Sequence, residues 1–162
     1  MAETCCPTTT TPARDESQCP GCSQRGRTVA IATVQAQVAI SLRELVAGGY
    51  RFCETRRCPI VYFAPEGEAL HHEQLRERVF QKEQAGNVLV CYCFRYSVSA
   101  LQHSEPTQRA AILADIVAGT RLGQCACELR NPQGHCCLGN VRQLLSTVGS
   151  HYVGEEQHEP DA

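Results

Sequence analysis

Short apolar runs separated by polar segments predict short β-strands along the first part of the chain. Tyr50–Phe52 and Ile60–Phe63 are predicted as strands, because aromatic and β-branched residues are enriched in strands. A β-like run is also expected at Thr28–Ala32, and a further strand at Val88–Val90. Residues 68–84 fit a helix face and an exposed strand equally well, so both interpretations stay open.

Capping signals and apolar residues at helical spacing predict helices elsewhere. Ser41–Glu44 has the Ser-x-x-Glu form of a capping box, so a short helix is expected there, ended by Gly48–Gly49. A longer helix is expected to follow Ser104 and to stop at Gly119. A final helix over 138–149 carries an apolar stripe at i, i+3 and i+4 spacing, which is interpreted as core packing.

Composition and charge exclude several classes of protein. Lys and Arg number 15 against 17 Asp and Glu, and a formal charge of −2 argues against nucleic-acid binding, which usually needs a basic surface. The most apolar stretch, Val29–Ile40, is shorter than the roughly 20 residues that span a bilayer, so no stable membrane insertion is expected. The N-terminal residues have neither a basic start nor an apolar signal core, so a cytoplasmic protein is expected.

Cysteine is the unusual feature of the composition, with 12 cysteines in 162 residues. Thiols stay reduced in the cytoplasm, where a cysteine-rich chain more often binds metal than forms disulfides. Disulfides remain the alternative, because the cysteine count is even. Two units of under about 80 residues with few large apolar side chains rarely fold by hydrophobic burial alone, and metal binding can supply the missing free energy.

The first four cysteines of the folded region form two close pairs with the spacing of a zinc site. Cys19 and Cys22 are separated by two residues, and Cys53 and Cys58 by four. Four sulfur ligands are typical of a closed structural zinc site, whereas catalytic zinc keeps one position open for water. The second pair lies between two predicted strands, as in a zinc ribbon. The alternative is four unrelated reduced cysteines.

Six further cysteines lie in the second half of the chain and exceed what one zinc ion needs. They are Cys91, Cys93, Cys125, Cys127, Cys136 and Cys137. A 2Fe–2S cluster needs four thiolates and tolerates widely separated pairs, so this group is typical of an iron–sulfur site. Soft thiolates also favour Cu(I) and Zn over hard cations.

These motifs carry a resemblance to a known family. Cys91-Tyr92-Cys93-Phe94, followed after about 32 residues by cysteines ahead of a final helix, is similar to the 2Fe–2S domain of bacterioferritin-associated ferredoxins. Over residues 19–148 the chain resembles more specifically the N-terminal domain of CopZ-type copper chaperones. The motifs that match are Cys19-Pro20-x-Cys22, Tyr50-x-Phe52-Cys53 with Cys58 and Val61-Tyr62-Phe63, and Cys125-x-Cys127-Glu128-x-x-Asn131-Pro132-x-Gly134-x-Cys136-Cys137-Leu138.

The resemblance implies one zinc ion and one 2Fe–2S cluster, linked to copper trafficking and to reduction of Cu(II) to Cu(I). Family members that deliver copper carry a C-terminal ferredoxin-like domain with a Met-x-Cys-x-x-Cys loop. This sequence has no such loop, and its single Met is residue 1. Either a partner supplies that part, or the role is electron transfer or metal sensing.

The resemblance also bears on which cysteines hold the cluster. Cys91 and Cys93 are the firmest predictions. Ferredoxin-like spacing favours Cys125, whereas the family pattern, with about ten residues between the last two ligands, fits Cys127 and Cys137. Cys137 directly precedes the last predicted helix, whose positive end would stabilise a thiolate. The predicted set is Cys91, Cys93, Cys127 and Cys137, with Cys125 and Cys136 as alternates.

Other candidate residues are weaker. Cys5 and Cys6, in the N-terminal tail, are a candidate copper-binding pair, the alternative being an exposed thiol pair without a ligand. His135 adjoins Cys136 and is a candidate to tune the cluster through a hydrogen bond to sulfur. The remaining polar candidates are interpreted as solvated surface residues, with a partner-docking patch as the alternative for the arginines: His71, His72, His103, Arg56, Arg57, Arg76 and Arg78.

Together these observations predict an α+β protein in which a small zinc-ribbon-like β part packs against a mainly helical 2Fe–2S part. Residues 18–66 and 88–149 are the two parts, 67–87 connect them, and 1–17 and 150–162 are expected to be disordered tails. The predicted function is redox-linked copper trafficking or electron transfer, without enzymatic turnover beyond weak cupric reduction. A copper-handling or redox protein is the expected partner. The alternative is a zinc-ribbon interaction module without a redox centre.

Overall fold

The computed structural model describes residues 15–151, and its first part is built on a four-stranded antiparallel sheet. The strands are β1 (Arg27–Val29), β2 (Tyr50–Phe52), β3 (Ile60–Phe63) and β4 (Ala69–His71), each paired with the next along the chain. The predictions of β2 and β3 are confirmed. The predicted run over 28–32 is wrong at its end, because the strand stops at Val29 and a helix begins at Ile31.

The sheet is buried on both faces around β3, all of whose residues are buried. On one face, Tyr62 packs with Phe52 and with the helix α1 (Ile31–Gln37) in the first hydrophobic core. On the other face, Ile60 and Phe63 pack against buried cysteine side chains. The sheet therefore lies between an apolar core and a cluster of thiols.

Residues 67–87 do more than connect the two parts. They supply β4 to the sheet, followed by a three-residue 3-10 turn at His72–Gln74, so neither a helix nor a strand runs through 68–84. Leu75 and Val79 join the first core and Phe80 joins the second, which ties the two parts together by burial.

The second part contains one hairpin and four helices. The hairpin pairs β5 (Leu89–Cys91) with β6 (Tyr96–Ser97), one residue later than the strand predicted at 88–90. The helices are α2 (Val98–Gln102), α3 (Pro106–Arg121), α4 (Cys127–Arg130) and α5 (Leu138–His151). They bury a core that centres on α5 and β5, and the α+β prediction is confirmed.

Several predicted helix ends are wrong. Gly119 lies inside α3, which continues to Arg121, and glycine stands there because a side chain at position 119 would meet the ring of Phe94. The start of α3 agrees with the prediction, since Glu105 is its N-cap and Pro106 its first residue, whereas α5 continues through the predicted stop at residue 149. The predicted helix at 41–44 is a single 3-10 turn. Within residues 15–151, no helix combines the length and the apolar character that crossing a bilayer requires.

Candidate metal centres

The four cysteines of the first set converge on one point. Cys19 and Cys22 lie in the turn that precedes β1, whereas Cys53 follows β2 and Cys58 precedes β3. All four sulfur atoms lie within 4.8 Å of one another. The Cys19–Cys58 and Cys22–Cys53 sulfur separations are 3.8 and 3.7 Å. Two sulfurs bound to one tetrahedral zinc ion at about 2.3 Å stand about 3.8 Å apart, so the geometry fits zinc.

The backbone of the first turn is shaped for close approach to sulfur. A side chain at Gly21 would lie 3.2 Å from the Cys58 sulfur and 3.0 Å from Ile60, so the position favours glycine. The backbone amides of Gly21 and Cys22 donate hydrogen bonds to the Cys19 sulfur. These donors favour the thiolate form, which is the form that binds metal.

The four thiols do not hold their protons equally. Burial raises the pKa of Cys19 to about 12. Burial also acts on Cys22, but hydrogen bonds with the Thr55 hydroxyl and the Gln24 amide outweigh it and lower the pKa of Cys22 to about 7. At neutral pH the metal-free site therefore keeps a proton on Cys19, and zinc binding must release it.

The four predicted cluster cysteines also come together, from three separate elements. Cys91 ends β5, Cys93 lies in the hairpin turn, Cys127 begins α4 and Cys137 directly precedes α5. The sulfur atoms of Cys93 and Cys127 are 3.7 Å apart. The Cys137 thiol forms hydrogen bonds with both Cys91 and Cys127. Three of the four side chains are buried, and Cys93 is half-buried.

The second set is wider than the first. Within the described residues, Cys19, Cys22, Cys53 and Cys58 form the only group of three or more His, Cys, Asp or Glu residues whose ligand atoms all lie within 4.8 Å of one another. A 2Fe–2S cluster distributes four thiolates over two irons, so it does not require convergence on one point. The donor set of the second site fits such a cluster in number, ligand type and pairwise contact.

Hydrogen bonds to sulfur favour the thiolate form of some cysteines in this second site. The Cys137 thiol donates to Cys127 and Cys91, which lowers the pKa of Cys127 to about 5 and that of Cys91 to about 7. The same bonds raise the pKa of Cys137. The Ala126 amide lies 3.3 Å from the Cys93 sulfur and donates to it. Burial nevertheless raises the pKa of Cys93 to about 12, so the hydrogen bonds favour the thiolate form at Cys127 and Cys91 and not at Cys93.

The two alternate cysteines have different surroundings. Cys125 is half-buried and forms hydrogen bonds with Cys127 and with the Thr120 hydroxyl. Cys136 is exposed. The structure thus brings Cys127 and Cys137 to Cys91 and Cys93, keeps Cys125 beside them and leaves Cys136 at the surface. This placement agrees with the family spacing.

The first part of the protein holds the loop that carries the last cysteines. The Tyr62 hydroxyl donates to the Pro132 carbonyl at 2.5 Å. From α1, the Thr33 hydroxyl donates to the Glu128 carbonyl at 2.6 Å, and the Gln37 amide donates to the Leu129 carbonyl at 2.7 Å. Sequence reasoning missed these positions, because each partner lies at least 70 residues away.

Within that loop, buried side-chain amides add to a backbone turn in which the Gly134 amide donates to the Asn131 carbonyl at 2.8 Å. Asn131 is fully buried and its side chain donates to the His135 carbonyl at 2.7 Å. Gln133 is also buried, and its side chain reaches the Cys136 carbonyl at 3.3 Å. The loop geometry ahead of Cys137 is therefore set by side chains that satisfy its carbonyls.

The histidine predictions have two outcomes. His135 does not reach sulfur: its ring contacts Arg27, Gln133 and the Cys136 carbonyl, so the predicted hydrogen bond to a cluster ligand is wrong. Both ring nitrogens of His135 therefore have polar partners other than sulfur. His72 and His103 are exposed, as expected of surface residues. Cys5 and Cys6 lie outside the described residues.

Comparison with known proteins gives a consistent result. A family of CopZ-type proteins described as a zinc binding domain matches residues 16–76. The copper chaperone CopZ of Archaeoglobus fulgidus is 32% identical over 132 residues, which are 82% of this chain and 63% of that protein. The chain therefore spans less than two thirds of that relative. The X-ray structure of the N-terminal domain of A. fulgidus CopZ is similar with a TM-score of 0.61 and 31% identity, covering 78% of this chain and 96% of that domain.

Proposed function

This chain belongs to the family of CopZ-type zinc-binding domains, homologous to the N-terminal domain of A. fulgidus CopZ, and from that premise we propose that it binds one zinc ion and one 2Fe–2S cluster in redox-linked copper handling. The proposed zinc ligands are Cys19, Cys22, Cys53 and Cys58. The proposed cluster ligands are Cys91, Cys93, Cys127 and Cys137. The single observation that carries the proposal is the presence of two separate four-thiol sites.

The two sites have different proposed roles. The zinc site is closed by four sulfurs and mostly buried, which suits a structural ion that holds the sheet and its turns together. When bound, a 2Fe–2S cluster supplies a one-electron couple, and one electron is what converts Cu(II) to Cu(I). In the proposed cluster site, the side chains of Cys91, Cys127 and Cys137 are buried away from water and Cys93 is partly exposed, so the site lies near the surface.

The proposed partner is a copper-handling or redox protein. The matched relative is a copper chaperone, and this chain covers 63% of its length. Delivery of Cu(I) to an acceptor is therefore proposed for the assembly of this chain with its partner. Electron transfer and metal handling, rather than enzymatic turnover on an organic substrate, are the proposed activity.

Analysis of metal and sulfide in protein purified without air tests the cofactors. We expect one zinc, two irons and two acid-labile sulfides per chain, with the visible absorption of an iron–sulfur protein. Cys93→Ser should lose the iron and keep the zinc, whereas Cys136→Ser, at an exposed thiol, should keep both. A colourless, folded preparation with zinc alone would support a zinc-ribbon module without a redox centre instead.

The copper role needs its own experiment. Protein reduced with dithionite, and then freed of excess reductant, is mixed anaerobically with Cu(II) in the presence of a Cu(I)-specific chromophoric chelator. We expect one Cu(I) for each reduced cluster that is reoxidised, because each cluster gives up one electron. Cluster spectra unchanged by Cu(II) would remove the reductase role and leave electron transfer to a protein.

A further inference from the structure

A band of basic side chains runs past both candidate metal sites. It lines two grooves with volumes of about 410 and 260 Å³, and the two grooves share Arg76 and Glu77. The first groove reaches Cys58 of the zinc site, and the second reaches Leu129 and Tyr92, next to the cluster cysteines. We call the following set the basic band: Arg56, Arg57, Arg76, Arg78, Lys82, Arg95 and Arg130.

The charge of this band differs in sign from that of the whole chain. It contains seven of the chain's 15 Lys and Arg, although the chain carries a net charge of −2. The acidic residues that line the grooves are Glu77 and Glu83, and both are already paired. Glu77 binds Arg95 at 2.7 Å, and Glu83 binds Arg78. An excess of five positive charges remains along the two grooves.

Three of the five excess charges have no partner within residues 15–151, and they lie at the two ends of the band. Among the described residues, the side chains of Arg56 and Arg57 at the zinc end and of Arg130 at the cluster end make no hydrogen bond or ion pair, and all three are exposed. An exposed charge without a partner changes the stability of the protein little. It can form an ion pair when an oppositely charged surface binds.

The band is fixed rigidly to the loops that carry the thiols. The Lys82 ammonium donates to the Thr55 carbonyl at 2.9 Å, inside the Cys53–Cys58 loop. The Arg78 carbonyl accepts a hydrogen bond at 2.9 Å from Tyr92, which lies between two cluster cysteines. Arg57 directly precedes Cys58 in the chain. A molecule held by the band would therefore lie beside the cysteines of both candidate sites.

We infer that the basic band is the docking surface for an acidic face of the redox or copper-handling partner, an inference that rests on the proposed function. A small anion would contact only one groove. Arg56 and Arg57 line the first groove and Arg130 lines the second, so a partner that pairs with all three must present an extended acidic surface. A nucleic acid is disfavoured, because Tyr92, which lines the second groove, is 2% exposed and offers no stacking face. Opposite charge on the partner would speed encounter and orient it towards the cluster.

Binding of a defined acidic probe tests the surface without a redox reaction. The probe is fluorescein-labelled decaglutamate, followed by anisotropy with the metal-loaded full chain at low salt. Arg56→Glu/Arg57→Glu should weaken binding by about tenfold or more, and Arg130→Glu, at the other end, should weaken it less but in the same direction. The matched control is Arg43→Glu/Arg142→Glu, which makes the same change in net charge at exposed arginines outside both grooves.

Three results would overturn the inference. They are an equal loss of affinity in the control variant, displacement of the probe by low millimolar inorganic phosphate, and binding of a single-stranded oligothymidylate as tight as that of decaglutamate. Zinc content is measured for every variant. If Arg56→Glu/Arg57→Glu loses zinc, Arg130→Glu decides the outcome, because it leaves the Cys53–Cys58 loop unchanged.

The rate of electron transfer to small oxidants tests whether the surface guides partners to the cluster. The reduced protein gives one electron to hexacyanoferrate(III), an anion, or to hexaammineruthenium(III), a cation. Arg56→Glu/Arg57→Glu and Arg130→Glu should slow oxidation by the anion and not by the cation, and added salt should reduce the difference. If a red variant and the red wild-type protein are oxidised by hexacyanoferrate(III) at equal rates, the docking surface is refuted. A colourless protein that still binds decaglutamate would refute the proposed cluster and keep the surface.

Discussion

Removing one hydroxyl group tests whether the sheet holds the loop that carries the last cysteines. Tyr62 is fully buried in β3, and its hydroxyl donates to the buried Pro132 carbonyl at 2.5 Å. Tyr62→Phe keeps the ring, which packs against Phe52 with centroids 5.9 Å apart, and removes the donor alone. The variant therefore separates the loss of the bond from any loss of packing.

The expected magnitude follows from the carbonyl that is left behind. An unsatisfied buried acceptor costs about 1–3 kcal/mol, because it has given up its hydrogen bonds to water without a replacement. The loop around Pro132 lies between Cys127 and Cys137, so the cost falls on the segment that positions both thiols. We expect the free energy of unfolding to fall by about 1–3 kcal/mol.

The assay is guanidinium unfolding of the metal-loaded protein under anaerobic conditions, at fixed protein and zinc concentration, followed by circular dichroism. Tyr96→Phe is the matched control, because it removes a hydroxyl that donates to the Asp115 carboxylate at 2.9 Å on the surface. The control should change stability by about 0.5 kcal/mol or less. Equal unfolding midpoints for the two variants would show that the Tyr62 bond does not anchor the loop.

Three further predictions concern the zinc ligands, alkaline pH and one helix contact. Cys53→Ser should lose zinc to a chelator at least about tenfold faster than wild type, whereas Cys136→Ser should match wild type in a colorimetric zinc-release assay. Burial raises the pKa of Tyr50, Tyr62 and Tyr92 above the ordinary value of 10. The contribution of these neutral side chains to stability is therefore full below pH 10 and is lost as pH rises above it. In an alkaline titration, the tyrosinate absorbance of these three residues should appear only as the protein unfolds. Gly119→Ala should destabilise the protein by about 1–3 kcal/mol, because its methyl group meets the Phe94 ring, whereas Gly139→Ala, with open space around it in α5, should be neutral or stabilising by thermal denaturation.

The parts of the fold that sequence predicted are those fixed by local chemistry. β2 and β3 follow from dense aromatic and β-branched residues, and the thiol turns follow from cysteine spacing. α1 was missed because Ile31 and Ala32 continue the apolar run of β1, and because sequence does not show that the polar Gln37 is buried. Gly119 was interpreted as a helix stop, since sequence does not show that Phe94 packs on it.

The site was predictable in its residue types and less so in its supports. Spacing grouped the cysteines, but the contacts of Thr33 and Gln37 with α4 join residues 95 and 92 apart. No periodic pattern encodes a contact at that separation. The same limit applies to the basic band, whose members lie on four separate segments. From sequence, four of its arginines are interpreted as solvated residues with a docking patch as the alternative, and the other three members carry no signal.

The anchoring contacts support the proposed choice of Cys127 and Cys137 over the alternates Cys125 and Cys136. Glu128 and Leu129 directly follow Cys127, so the hydrogen bonds that hold their carbonyls to α1 also fix the start of α4. Asn131 then ties the loop to the His135 carbonyl, two residues before Cys137. Cys127 and Cys137 therefore bracket the fixed part of the loop and point inward. Cys125 precedes this anchored stretch and Cys136 is exposed within it, which is the reason that Cys127 and Cys137 are the proposed cluster ligands.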